Sequence, residues 1–209
     1  DVAVGEMARL CRQAGALLVH VSTDYVFDGR PGRPWREDDP VAPVNAYGRG
    51  KLGGERRALA SGAEVLVVRT SWVFAPGGVN FVDTILGLAE QGREELKVVD
   101  DQRGRPTFAP DLARALVRLA EVGARGLVHF ANAGETTWYG LAKEALARGG
   151  YPNVRLVPCA TSEFPRPAAR PANSVLDTTR YERLAGEAPR HFTEALDEHL
   201  RLRAEAAGT

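Results

Sequence analysis

Residues 16–24 read ALLVHVSTD, a short apolar run that ends in three polar side chains. A run of this length, flanked by turn residues, is typical of a strand that is buried on both faces. A similar run follows at 64–69 (EVLVVR), and residues 45–60 between the two carry a helical pattern. A strand, a helix and a second strand in this order favour a parallel pair joined by a crossover helix. These residues therefore predict an α/β fold.

The rest of the chain keeps this alternation. Helices are predicted at 1–14, 45–60, 80–91, 109–122, 136–148 and 191–206, and strands at 16–22, 64–69, 96–99, 126–131 and 154–158. Loops are predicted at 28–44, which is rich in glycine, proline and charged residues, and at 161–173, which contains Pro165, Pro167 and Pro171. In the first helix Ala3, Met7, Leu10 and Cys11 share one apolar face. Short apolar strands that alternate with helices favour a mostly parallel sheet.

The composition excludes several classes of protein. The 209 residues are 44% hydrophobic and 26% charged, with 27 basic and 27 acidic side chains, which rules out a disordered tail, a collagen-like fibre and a coiled coil. The zero net charge argues against non-specific nucleic-acid binding, and the apolar runs are too short to span a membrane. Cys11 and Cys159 lie far apart and outside any metal-binding spacing. We therefore predict no metal site, a reducing compartment and a cytoplasmic location.

The strongest local signal is the stretch Ser22-Thr23-Asp24-Tyr25-Val26-Phe27, directly after the first predicted strand. The carboxyl ends of strands in a parallel sheet line the ligand crevice, so hydroxyls and a carboxylate at this place can contact a substrate. The alternative interpretation is a turn whose polar side chains only end the strand with hydrogen bonds. The stretch alone leaves both interpretations open.

A second signal is the spacing of four between Tyr47 and Lys51, which puts both side chains on one helical face. An ammonium beside a phenol stabilises the phenolate, which makes such a tyrosine a usable general acid or base at neutral pH. Tyr139 and Lys143 have the same spacing, but no comparable hydroxyl cluster precedes them. The second pair is therefore interpreted as a packed tyrosine and a solvated lysine.

Six motifs follow one another along nearly the whole chain. They are STDYVFDG at 22–29, YGRGKLGGE at 47–55, RTSWVF at 69–74, NFV at 80–82, DQRGRPT at 101–107 and RPANSVLD at 170–177. Together they resemble the dTDP-4-dehydrorhamnose reductases, a family of extended short-chain dehydrogenases/reductases. The resemblance implies a Rossmann-like doubly wound parallel sheet with a smaller C-terminal α/β substrate lobe.

The resemblance also implies a reaction, the reduction of the 4-keto group of dTDP-4-dehydro-L-rhamnose to dTDP-L-rhamnose by hydride from NADPH or NADH. Thr23 would hydrogen-bond the keto oxygen, Tyr47 would protonate it as general acid, and Lys51 would hold the nicotinamide ribose. The residues implied to bind the cofactor are Ser22, Tyr47, Lys51, Thr70 and Ser71. The residues implied to bind the substrate are Thr23, Asp24, Tyr25, Trp72, Asn80, Arg105 and Arg170.

Other activities are compatible with the same motifs to different degrees. A nucleotide-sugar 4,6-dehydratase carries Asp-Glu after the catalytic threonine and needs that glutamate as a base, whereas this chain has Asp24-Tyr25. This difference favours a reductase over a dehydratase and leaves an epimerase open. Two alternatives remain outside enzyme catalysis. One is a non-catalytic binding subunit similar to the regulatory subunit of methionine adenosyltransferase, and the other is an inactive fragment.

The family begins with a strand, a glycine-rich turn and a helix that bind the dinucleotide pyrophosphate. No such glycine pattern stands near the start of this chain, which begins at Asp1, so we expect a Rossmann domain that lacks roughly 70–80 N-terminal residues and leaves a sheet edge exposed. The predicted division is 1–75 with 109–132 as the remainder of the Rossmann domain, and 76–108 with 133–209 as the substrate lobe. The expected partner is a nucleotide sugar, with no nucleic acid and no membrane, and a homodimer is left open.

Overall fold

The computed structural model describes residues 1–30, 32–164 and 167–207. Of the predicted loops, Pro31, Pro165 and Arg166 lie outside the described residues, as does the chain end 208–209. The helices are α1 (Val2–Ala14), α2 (Ala46–Leu59), α3 (Phe81–Glu90), α4 (Ala109–Glu121), α5 (Trp138–Arg148), α6 (Thr179–Ala185) and α7 (Phe192–Ala207). The strands are β1 (Leu18–Thr23), β2 (Val65–Thr70), β3 (Val73–Phe74), β4 (Glu95–Val99), β5 (Arg103–Gly104), β6 (Thr107–Phe108), β7 (Gly126–His129), β8 (Thr136–Thr137) and β9 (Arg155–Cys159).

Every predicted helix and strand is present, with ends shifted by two residues at most. The sequence pattern missed the short helix α6 and the four two-residue strands β3, β5, β6 and β8. Several helices begin where a polar side chain accepts a backbone hydrogen bond, because the first N–H groups of a helix have no partner within it. Asn45 caps α2, Asn80 caps α3 and Thr137 caps α5 in this way.

The main sheet has the order β1-β2-β7, and both neighbouring pairs are parallel. Strand β2 is buried along its whole length, and its side chains alternate between the two faces. Val65 and Val67 pack with Ala8 of α1 and Ala58 of α2. The side chains of the opposite face, Leu66 and Val68, pack against α4 and α6. Helices therefore cover both faces of the sheet, which confirms the α/β fold class.

In the described part of the chain, β1 pairs with β2 alone and is an edge strand. Its first four residues are only partly buried, whereas Ser22 and Thr23 at its carboxyl end are buried. No helix in the described residues is long and apolar enough to cross a membrane.

A second group of elements surrounds the parallel pair of β4 and β9. Helices α3 and α5 pack on this pair through apolar residues that include Ile85, Leu96 and Leu146. Strands β3 and β6 form a parallel pair, and β5 and β8 form an antiparallel pair. The predicted boundaries between a Rossmann part and a substrate lobe stay a prediction.

Candidate functional site

The chain turns sharply where β1 ends. Thr23 is the last residue of the strand, and residues Asp24–Val26 form a short 3-10 helix directly after it. The Thr23 hydroxyl oxygen accepts a hydrogen bond of 3.3 Å from the backbone N–H of Tyr25, which starts this turn. The polar residues of the predicted signal therefore lie at the carboxyl end of an edge strand.

Helix α2 begins against this turn. The Asn45 side chain accepts a hydrogen bond of 2.8 Å from the N–H of Gly48 and also donates one of 2.9 Å to the Ala169 carbonyl. A β-carbon at position 48 would collide with the carbonyl oxygen of Tyr25, so only glycine allows this close approach. The first turn of α2, which carries Tyr47, is thereby held beside the end of β1.

Tyr47 and Lys51 lie on the side of α2 that meets β1. The Tyr47 ring packs edge-on against the Tyr25 ring, with 5.9 Å between the ring centroids, and 57% of Tyr47 is exposed. The Lys51 ammonium donates a hydrogen bond of 2.6 Å to the Val21 carbonyl, and burial lowers the pKa of Lys51. The structure therefore brings Thr23, Tyr47 and Lys51 to one end of β1, as the two sequence signals predict.

A buried ion pair holds the next turn of α2. Glu55 accepts hydrogen bonds of 2.9 and 2.7 Å from the Arg69 guanidinium on β2 and a third from the Ser22 hydroxyl. Arg69 also lies 3.5 Å from the His129 imidazole of β7. Burial, together with the Arg69 charge, lowers the pKa of His129 to about 3. Glu55 thus ties α2 to the centre of the sheet one turn after Lys51.

Asp24 is the most unusual titratable group of the site. Asp24 is 3% exposed, and burial raises the pKa of its carboxyl to about 7, against the lowering effect of the nearby Thr23 and Ser174 hydroxyls. The Thr23 hydroxyl donates a hydrogen bond of 2.9 Å to Asp24 Oδ1. Asp24 Oδ2 is buried and has no hydrogen-bond partner among the described residues.

A cavity of about 650 Å³, called the large cavity below, extends from Tyr25 towards α3, β4 and α5. Its apolar wall includes Phe81 and Trp138, and its cationic side chains are Lys97 and Arg170. Apolar walls with a few polar groups are typical of small-molecule sites. Because Tyr25 lines this cavity and also contacts Tyr47, the large cavity adjoins the Thr23–Tyr47–Lys51 cluster.

A smaller cavity of about 260 Å³ lies on the other side of Tyr47 and Lys51, between α1, β1 and α2. Gly50, Gly54 and His20 contribute to its wall, and a β-carbon at Gly50 would meet no atom within 4 Å. The His20 Nε2 atom is buried and without a hydrogen-bond partner among the described residues. Small residues and an unsatisfied polar atom beside the Lys51 amine fit the ribose end of a dinucleotide.

Three of the predicted cofactor residues form hydrogen bonds to other protein groups through their hydroxyls. Ser22 donates to Glu55, Thr70 donates to Thr107 over 3.2 Å, and Ser71 donates over 2.7 Å to the Arg105 carbonyl. All three are buried, and within the described residues none of them lines either cavity. Their roles in cofactor binding stay a prediction.

Some of the predicted substrate residues lie at the large cavity, and others form hydrogen bonds within the protein. Tyr25 and Arg170 line the large cavity, and Trp72 stacks on its wall residue Trp138 with 3.7 Å between ring centroids. Asn80 is engaged as the cap of α3, since its amide donates to the Ala75 carbonyl and to Asp83. The Arg105 guanidinium donates to the carbonyls of Asn132 and Leu176, both at 2.9 Å, and burial lowers the pKa of Arg105.

Sequence reasoning missed several wall residues of the large cavity, among them Gln102 and Trp138. Trp138 donates its indole N–H to Gln102 over 3.1 Å, and the Gln102 amide donates to Thr161 over 2.8 Å. The available signal was the position of Trp138 directly after the capping residue Thr137, at the start of a helix. The second tyrosine–lysine pair behaves as predicted, because Tyr139 packs on the β4–β9 core and Lys143 is exposed.

Comparisons with known proteins identify the family to which this chain is similar. The family described as the RmlD substrate binding domain matches residues 1–204. A dTDP-4-dehydrorhamnose reductase of Burkholderia thailandensis is 46% identical over 190 residues, which cover 83% of this chain and 63% of the relative. The first curated relatives that the chain matches are all longer, and the chain spans less than two thirds of each.

Solved structures show the same similarity. The crystal structure of a dTDP-4-dehydrorhamnose reductase from Clostridium acetobutylicum superimposes with a TM-score of 0.91 at 39% identity, over 96% of this chain and 71% of that one. A reductase from Bacillus anthracis in complex with NADP also reaches a TM-score of 0.91, at 33% identity, with the same coverage of both chains. The predicted resemblance is therefore confirmed, and the chain belongs to the RmlD substrate binding domain family.

Proposed function

We propose that this chain supplies the substrate site and the acid–base residues of a dTDP-4-dehydrorhamnose reductase, which reduces the 4-keto group of dTDP-4-dehydro-L-rhamnose with NADPH or NADH. The observation that carries the proposal is the convergence of Thr23, Tyr47 and Lys51 at the end of β1, at the edge of the large cavity. The names of the similar proteins support the same reaction.

The chemistry assigned to each residue follows from its surroundings. NADPH or NADH, when bound, supplies the hydride. The exposed Tyr47 phenol donates its proton to the sugar's keto oxygen as negative charge develops there, and the Thr23 hydroxyl donates a hydrogen bond to the same oxygen. The Lys51 ammonium, held by the Val21 carbonyl, places positive charge one helical turn from the phenol.

The large cavity is the proposed nucleotide-sugar site. Arg170 offers positive charge for a diphosphate, whereas the Lys97 ammonium is paired with Glu163. Phe81 and Trp138 offer apolar surface for a sugar ring or a base. Trp72 would act through its stack on Trp138. We propose that Asn80 and Arg105 support the backbone around this site and do not contact the substrate, because their side chains already donate hydrogen bonds to backbone carbonyls.

The smaller cavity is the proposed place for the nicotinamide ribose. Lys51 and Tyr47 line it, together with the small residues Gly50 and Gly54. The solved Bacillus anthracis relative contains NADP, which supports a nicotinamide cofactor and leaves the choice between NADPH and NADH in this protein to experiment. We further propose the division into 1–75 with 109–132 on the cofactor side and 76–108 with 133–209 on the substrate side, and a homodimer as a state to test.

The experiment measures two properties separately. Binding of the keto sugar to residues 1–209 is followed by tryptophan fluorescence, because Trp72 and Trp138 lie at the proposed site. Oxidation of NADPH with dTDP-4-dehydro-L-rhamnose is followed in a fused protein, in which residues 1–209 follow a glycine-rich dinucleotide-binding segment of an extended short-chain dehydrogenase. Turnover by the fused protein supports the proposal. Sugar binding without turnover favours the non-catalytic binding subunit instead.

A further inference from the structure

The Thr23 hydroxyl has a single proton, and the geometry of this structure directs it to the neighbouring Asp24 carboxyl. It is donated over 2.9 Å to Oδ1 of Asp24, a carboxyl that is itself buried beneath the turn. A hydroxyl that donates to Asp24 cannot donate the same proton to a carbonyl oxygen. The proposed function, on which this inference rests, needs the Thr23 proton at the keto oxygen, so another group must release it.

The burial of the Asp24 carboxyl and the lack of a partner for one of its oxygens favour its neutral form. Its second oxygen, Oδ2, is buried and accepts no hydrogen bond among the described residues. The hydroxyl of Ser174 lies close enough to favour the charged carboxylate, but it donates its own proton to the Arg103 carbonyl over 3.2 Å. A buried carboxylate with one unsatisfied oxygen is costly, and protonation removes that cost.

We propose that Asp24 is a positioning residue whose protonation sets the direction of the Thr23 hydroxyl. The neutral carboxyl donates its O–H to Thr23 Oγ1, and the Thr23 proton is then free to point to the keto oxygen. The carboxylate has no proton to donate, so it accepts the Thr23 proton and withholds it from the substrate. The step is a rotation of hydroxyl groups, in which no covalent bond to carbon forms or breaks.

The surroundings of Asp24 place the change in its protonation near neutral pH. Burial raises the pKa of Asp24 to about 7, whereas an ordinary aspartate is charged at this pH. Tyr25, Tyr47 and Arg170 are the titratable and charged groups that interact with this turn. The charged groups of α2 and β2 that lie nearest to the end of β1 are Lys51, Glu55 and Arg69. The Arg69 charge is compensated by Glu55, and the Lys51 ammonium is held by a hydrogen bond to the Val21 carbonyl.

The test measures binding without turnover, in residues 1–209 and without reduced cofactor. Tryptophan fluorescence gives the Kd of dTDP-4-dehydro-L-rhamnose between pH 5.5 and 8.5. A dTDP-4-deoxy sugar, which keeps the esterified diphosphate but has no oxygen at C4, is the matched control ligand. In the wild type we expect the keto sugar to bind up to roughly tenfold more weakly above pH 7, the value of one hydrogen bond, while the Kd of the 4-deoxy sugar does not follow this change.

The variant Asp24→Asn keeps a donor for Thr23 Oγ1 but cannot titrate. It should bind the keto sugar at all pH values as the wild type does at low pH. A pH-independent Kd in the wild type, or an unchanged pH dependence in Asp24→Asn, would overturn the inference.

If neither ligand binds at any pH, the proposed function fails, and the inference is then decided by carboxyl NMR titration. Thr23→Val removes a hydrogen bond to the carboxylate and should raise the pKa of Asp24. An Asp24 pKa that is near 4, or that does not change in Thr23→Val, contradicts the inference in that case. A pKa near 7 that rises in Thr23→Val upholds the coupling of the two groups.

Discussion

The Lys51 ammonium is bound to the carbonyl oxygen of Val21 over 2.6 Å, two residues before Thr23. This bond joins the middle of α2 to the carboxyl end of β1, so the helix that carries Tyr47 cannot move along the strand without breaking it. A compact ammonium can make this single bond in a narrow space, where the wider guanidinium of arginine is a poor substitute. The chain has only three lysines, and this one has a defined structural partner.

Substitution of Glu55 should lower the free energy of unfolding more than substitution at most other positions. Glu55→Gln leaves the Arg69 guanidinium buried without its countercharge, and breaking a buried pair from one side typically costs about 3–5 kcal/mol. Urea unfolding of residues 1–209 measures this loss. The matched control is Glu95→Gln, which removes the exposed partner of Arg155 and should leave the unfolding midpoint nearly unchanged. Equal effects of the two variants would show that Glu55 does not anchor α2.

His129 should make the protein less stable as the solution becomes acidic. Its pKa is about 3 in the folded protein, lowered by burial and by Arg69, against about 6.5 in an unfolded chain. Between these values the unfolded chain binds a proton that the folded protein does not bind. The free energy of unfolding should therefore fall as the pH decreases from about 6.5 towards 3, by up to roughly 1.4 kcal/mol per pH unit.

The variant His129→Gln isolates this contribution. Other groups, including His20, titrate in both proteins, so the difference between the two stability curves reports His129. We expect the variant to be less sensitive to acid between pH 6.5 and 5, as measured by urea unfolding at each pH. Parallel curves for the wild type and the variant would mean that the imidazole is protonated in the folded state.

Gly104 should control the stacked tryptophans beside the large cavity. A β-carbon at position 104 would collide with the indole of Trp72, whose backbone lies at the unusual φ of +48°. Gly104→Ala should therefore displace Trp72 from Trp138, change the near-UV circular dichroism of the pair and weaken binding of the keto sugar. Gly87→Ala in α3 is the control, since a β-carbon there meets no atom within 4 Å. The assignment fails if Gly104→Ala keeps the tryptophan signal of the wild type.

The fold could be predicted because it depends on regular patterns. Runs such as residues 65–68 are wholly apolar, as expected of a buried strand, and the helices between the strands are long enough to show a period. The seven-residue helix α6 and the two-residue strands are too short for that. The spacing of apolar residues also does not show which face of a helix packs against the rest of the protein. Ala3, Met7 and Leu10 share an apolar face of α1, yet they are exposed, and Ala8 is the buried residue.

The site could be predicted in part, for a similar reason. The spacing of Tyr47 and Lys51 and the position of Thr23 after a strand are local properties of the sequence, and the structure brings these residues together. The direction in which a buried polar side chain points depends on partners that are distant in the sequence. Ser22 turns to Glu55 on α2, and Arg105 turns to the backbone of Asn132, because burial makes such polar groups seek partners within the protein.

The central claim is that Tyr47 is the proton donor of a keto-sugar reductase, and one comparison of variants tests it most directly. NADPH oxidation with dTDP-4-dehydro-L-rhamnose is measured in the fused protein for Tyr47→Phe and for Tyr139→Phe, which removes the hydroxyl from the second tyrosine–lysine pair. We expect Tyr47→Phe to lower kcat by about 10²–10⁴-fold and Tyr139→Phe to change it little. Wild-type kcat in Tyr47→Phe, or equal losses in both variants, would contradict the account.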